Sequence, residues 1–204
     1  MDYPTRSPLV IQTLRLSSRQ VALISTFIAI GAIVRIGVDQ VGDMVPSTAF
    51  AVTIKFGLSE TLSFVAGFTY GPVVGFLTGF LIILLSDMAS PYGAGAWTPF
   101  IASIIGLLGI CAGIIRRVRP HPTLLIMTVS AVGLTLLSET LQNLWAAVFY
   151  GVPIISTMTL GLPSLVAAMA NNVVLFPTVG IRAIRFVQEH HLSGASNSKA
   201  KPTA

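Results

Sequence analysis

The chain has 204 residues, 53% of them hydrophobic and only 9% charged, and its mean hydropathy of +0.84 lies far from the balance of a soluble domain. A single cysteine, Cys111, excludes an internal disulfide framework, and there is no Cys/His cluster at metal-ligand spacing. The net charge of +5 does not point to nucleic acid, because the basic residues do not share one solvated face.

Residues 1–19 form a polar N-terminal segment with Arg6, Arg15 and Arg19. A spanning helix needs about 20 mostly apolar residues, and the first such segment runs over 20–38. It has no small-residue cleavage site before its end, so it is expected to be retained and not removed as a signal peptide. Ala22, Ser25, Ala29 and Ala32 follow one another at 3-4-3 spacing and make a smooth stripe, a surface that lets another helix approach closely, whether of this chain or of a partner. Arg35 lies roughly 6 Å below the far end of this span.

The second span, 47–68, contains Lys55 roughly 12 Å from its outer end and Glu60 roughly 20 Å from it. The third, 72–87, is short, carries Gly71, Gly75 and Gly79 in a four-residue repeat, and ends on Asp87. Residues 88–97 hold Pro91, Gly93 and Gly95 and read as a loop, with Tyr92 and Trp97 placed to act as a lid. The fourth span, 98–115, repeats the glycine spacing at Gly109 and Gly113, which allows close helix contact. It is followed by Arg116, Arg117 and Arg119.

The fifth span, 123–149, gathers Thr135, Glu139, Gln142, Asn143 and Ala146 on one helical face. The sixth, 160–185, carries Asn171 and Asn172 near its middle and closes with Arg182 and Arg185. Residues 188–204 are a small, polar, cytoplasmic tail whose composition favours disorder. The expected architecture is an all-α integral membrane protein of the plasma membrane, with a six-helix membrane domain over 20–187.

Orientation follows from the basic residues, since cytoplasmic loops carry the Lys/Arg excess. With six spans, the arginines and lysines outside the spans fall on one side, and the connections 39–46, 88–97 and 150–159 have none. Both termini are then cytoplasmic. Arg35, Lys55, Asp87, Glu139, Asn143, Asn171 and Asn172 then lie between the outer surface and about the bilayer midplane. A hydrogen-bonded seam between helices would account for one such residue. Ionisable and amide groups from five spans in one half of the bilayer point instead to a water-accessible pocket that binds a small molecule, with Tyr92 and Trp97 covering it.

No GxxxxGK[ST], GxGxxG, HExxH or GxSxG motif is present, so no enzymatic activity and no cofactor are expected. Any energised transport would take its ATP hydrolysis from other chains.

The residues AGFTYGPVVGFLTGFLIILLSD (66–87), the loop GAGAWTPF (93–100) and Ser25-x-x-x-Ala29 resemble the substrate-binding S components of energy-coupling factor (ECF) transporters. Ser25 stands where that family has an alanine. The resemblance implies high-affinity capture of a vitamin or similar micronutrient from outside. It also implies docking of the Ala22, Ser25, Ala29 and Ala32 stripe on a separate transmembrane T component driven by two ATPase subunits. Cobalamin-type members carry such a Trp-Thr-Pro loop, which makes cobalamin one lead beside queuosine precursors and other vitamins. Two other readings fit the residues alone: a six-span scaffold of the cell envelope that binds no ligand, and a self-sufficient carrier or channel.

Overall fold

The computed structural model describes residues 18–44, 57–90 and 93–189, and among these residues all regular secondary structure is helical. Six helices follow in chain order: α1 (Ser18–Met44), α2 (Leu58–Tyr70), α3 (Pro72–Ala89), α4 (Thr98–Val118), α5 (Leu124–Tyr150) and α6 (Ile154–Leu175). α6 passes through one π-helical turn, Phe176–Gly180, and continues to Glu189. Among the described residues, Pro72–Ala89, Thr98–Val118, Leu124–Tyr150 and Ile154–Glu189 are long and apolar enough to cross a membrane, while the apolar part of α1, Val21–Gly37, is shorter.

The glycines explain how the first four helices pack. A Cβ on Gly75 of α3 would lie 2.5 Å from the Gly67 Cα of α2 and 2.7 Å from the Gly109 carbonyl oxygen of α4. Only hydrogen fits where the three backbones meet. One turn further along α3, Ser63 Oγ donates to the carbonyls of Gly75 (3.2 Å) and Ile105 (3.0 Å), so the hydroxyl is satisfied inside the contact. The link from α2 to α3 is a single residue: Gly71 takes φ 102°, which glycine adopts without steric cost, and Pro72 starts the next helix where its missing N–H is not needed. α1 lies along this group, with Gly31 against Ile82.

α5 and α6 form an antiparallel hairpin closed by Gly151, at φ 66°, with Val152 and Pro153. Their join to the rest is apolar. Phe64, Ile83, Leu108, Met127, Phe176 and Ile184 form one buried cluster, with the rings of Phe64 and Phe176 5.0 Å apart.

Several boundaries differ from the sequence expectation. α1 runs on to Met44, six residues past the expected end at 38 and through most of the expected 39–46 loop, and α4 continues to Val118, three past 115. The second span was expected over 47–68, but its described helix begins at Leu58 and has 13 residues, a rise of roughly 20 Å; residues 45–56 lie outside the described residues. α3 continues through Ala89, two residues past Asp87. The sixth span begins at Ile154 and not at 160, which shrinks the expected 150–159 loop to a short turn. Its first two turns were mistaken for a loop because they are polar. Within the helix the polar groups are satisfied locally, since Thr157 and Thr159 donate their hydroxyls to the carbonyls of Ile154 (2.9 Å) and Ile155 (2.8 Å).

Candidate functional site

The polar side chains inside the bundle form two groups. The first joins α1, α3 and the start of α4. Arg35 Nη2 lies 3.2 Å from Asp87 Oδ1, with the arginine side chain 30% exposed and the aspartate 6%. The other carboxylate oxygen, Oδ2, accepts the Thr98 hydroxyl at 2.7 Å, and Thr98 Oγ1 itself accepts the Gly95 N–H at 3.0 Å. Asp87 is therefore not a solvated helix end. It ties α1 to α3 and pins the incoming loop, while Pro99 occupies the first turn of α4, where no N–H is required.

This gives the Trp-Thr-Pro stretch a local physical meaning. Thr98, which the sequence reading did not single out, is the member that holds the loop; its place three residues after Gly95 and beside Pro99 was the available signal. Trp97 is 38% exposed and folds back over Gly95. Tyr92 and Lys55 lie outside the described residues, as does the side chain of Asp39, a possible in-helix partner of Arg35.

The second group lies along the α5–α6 seam. Asn172 Nδ2 donates to Thr135 Oγ1 at 2.8 Å, Ser164 donates to Glu139 Oε2 at 3.4 Å, and Asn143 Nδ2 donates to the Glu139 carbonyl at 2.8 Å. Gly161 lets α6 close on the Asn143 amide. Glu139 and Asn172 are buried, and Asn143 and Asn171 are half-buried. The face expected from periodicity on α5 is thus the face turned to α6, and its members are held in fixed positions.

Asn172 also touches a third element. Its amide lies against Gly57, immediately before α2, where even a methyl group could not be accommodated. α2 starts there without a side-chain cap, so its first N–H groups and the positive end of its dipole face this region. Glu60, buried in the first turn of α2, has the charge that this helix end favours. The part of the hairpin bearing Glu139, Asn143 and Ser164 runs on past the α2 N-terminus, roughly 24–29 Å to the 151–153 turn. Asn172 is 2% exposed, and its Oδ1 has no hydrogen-bond partner among the described residues.

On α1, Ala22, Ser25 and Ala29 are exposed, whereas Ala32 is buried beside the Gly31–Ile82 contact. The free part of the stripe is its first three members.

No protein-family model matches the chain, and no solved structure matches it. Over 99 residues the chain is 33% identical to a UPF0397 protein of Streptococcus gordonii. The match takes in 47% of this chain and 46% of the relative, so it spans less than half of either, and the relative's name states no activity.

Proposed function

We propose that the chain is the substrate-capture subunit of an ATP-driven micronutrient importer, an S component of the ECF type. In this reading it binds a small polar ligand from the outer side and docks on a separate T component whose two ATPase partners supply the energy. The observation that carries the proposal is the buried Asn172 Oδ1, which has no donor among the described residues, beside the start of α2, whose N-cap Gly57 supplies no side-chain cap. A buried acceptor without a donor costs about 1–3 kcal/mol, and a membrane helix that begins within the bundle is a recurrent way of presenting backbone N–H groups to a substrate. The ligand contacts come from Glu139, Asn143, Asn171 and Asn172, with Trp97 and the described part of its loop, 93–97, closing the site. The Arg35–Asp87 pair holds the neighbouring wall.

Native mass spectrometry of the protein purified from its own host tests the proposal, since a tightly held micronutrient should appear as a discrete added mass. Asn172→Ala should lose that mass. Ala29→Trp, which roughens the exposed stripe, should keep it and yet stop uptake by cells that contain the ATPase partners. A protein that carries no ligand, or a purified chain that alone moves solute into liposomes, would replace the capture subunit with a scaffold or a carrier respectively.

Six spans with both termini cytoplasmic belong to the same proposal, supported by the arginines at 116, 117, 119, 182 and 185. Reporter fusions at 92 and 152 should read outside and fusions at 120 and 195 inside. A cytoplasmic signal at 92 would invert the site and rule out capture from outside.

A further inference from the structure

At the end of the bundle away from the Asp87 loop, α1 and the last turns of α6 enclose a groove of about 470 Å³. Leu23, Phe27, Val179, Phe186 and Val187 make its walls apolar, and Arg182 stands among them. Thr178 also lines it, but its hydroxyl is taken by the Val174 carbonyl at 2.5 Å. Among the described residues the groove therefore offers one long apolar surface and one cationic group.

We propose that this groove is a binding site for an anionic phospholipid, with an acyl chain between α1 and α6 and the headgroup phosphate on Arg182. The inference rests on the chain lying in a bilayer and does not depend on substrate capture. Gly180 packs against Met127 near the start of α5, so Arg182, two residues on, is about level with Leu124. This is the end of the bundle that carries Arg116, Arg117 and Arg119, and Arg185 follows one turn later on α6. Arg182 and Arg185 are both exposed, and a flexible arginine stem lets the guanidinium reach the headgroup layer. Basic pockets between membrane helices at such an end select anionic headgroups.

A protein partner suits the groove less well. Membrane helices associate through small residues, and on α1 the small residues Ala22, Ser25 and Ala29 lie on a different face from Leu23 and Phe27. Bulky walls, an open side and a single cation at the mouth match a chain with one charged end.

The full-length protein, delipidated in a mild detergent and titrated with phosphatidylglycerol or phosphatidylcholine, is examined by native mass spectrometry. The wild type should retain phosphatidylglycerol preferentially. Arg182→Gln should lower that preference about fivefold, and Ala183→Trp, which fills the groove, should reduce retention of both lipids. Arg117→Gln, at the same end but outside the groove, should leave the preference unchanged. The proposal is overturned if Arg182→Gln behaves as wild type or if Arg117→Gln has an equal effect. It is also overturned if the wild type holds no lipid and instead forms a dimer that Ala183→Trp dissociates. Arg182 is exposed, so its variant tests the headgroup contact even if Ala183→Trp fails to fold.

Discussion

Gly75→Leu should abolish the accumulation of folded protein in the membrane. The glycine sits where α2, α3 and α4 meet, and the nearest atoms to an added Cβ belong to the backbones of Gly67 and Gly109. Backbone cannot swing aside as a long side chain can, so the three helices must separate. Separation exposes much of the packing around Phe64, Phe68, Ile105 and Leu108. Overpacking a core usually costs about 1–3 kcal/mol, and forcing two helix contacts apart at once puts this change at or above the top of that range. Fluorescence-detected size exclusion should show loss of the monodisperse peak. Gly133→Leu is the control, because a Cβ at Gly133 meets nothing within 4 Å and its peak should be unchanged. Equal yields and melting temperatures for the two variants would mean that the three backbones do not meet as described.

Asp87→Ala should destabilise the ligand-free protein by about 2–3 kcal/mol. Removing one member of a buried ion pair strands the other charge, at a usual cost of about 3–5 kcal/mol, and the lower figure reflects the 30% exposure of the Arg35 side chain. For a chain of this size the expected fall in melting temperature is about 4–12 °C. Thr98→Val should lose about 1 kcal/mol, the worth of an ordinary hydrogen bond, and release the 93–97 loop. Substituting Arg35 and Asp87 together with leucine should recover part of the loss, because no charge is then left unpaired. Thermal melting of the single and double variants without ligand reads this directly. An unchanged melting temperature for Asp87→Ala would mean that the aspartate does not tie α1 to α3 as described.

Much of the architecture was legible in the sequence because its causes are local. A run such as GPVVGFLTGFLIILL (71–85) must be helical in an apolar medium, since only a helix satisfies its own backbone there. The four-residue glycine spacing allows close helix contact, and Gly75, Gly79 and Gly109 make it, Gly75 and Gly109 together with Gly67, while Gly71 is the turn between α2 and α3. The face of α5 bearing Thr135, Glu139 and Asn143 followed from the 3.6-residue period, and it is turned to α6. The polar start of α6 was misread for an equally local reason, since hydropathy does not register threonine hydroxyls that bond back to their own helix.

Partner choice was decided only by the tertiary structure. Arg35 meets Asp87, 52 positions along the chain, and Asn172 meets Thr135, 37 positions away. Periodicity states which residues share a face of one helix. Which two faces meet, and at what depth, depends on where glycine lets backbones close together and where bulky side chains hold them apart, a balance summed over the whole bundle. The start of α2 against Asn172 is the clearest case: Gly57 lies under the Asn172 amide, 115 positions along the chain, and that closeness depends on how α2 packs against the α5–α6 hairpin, which no local pattern states.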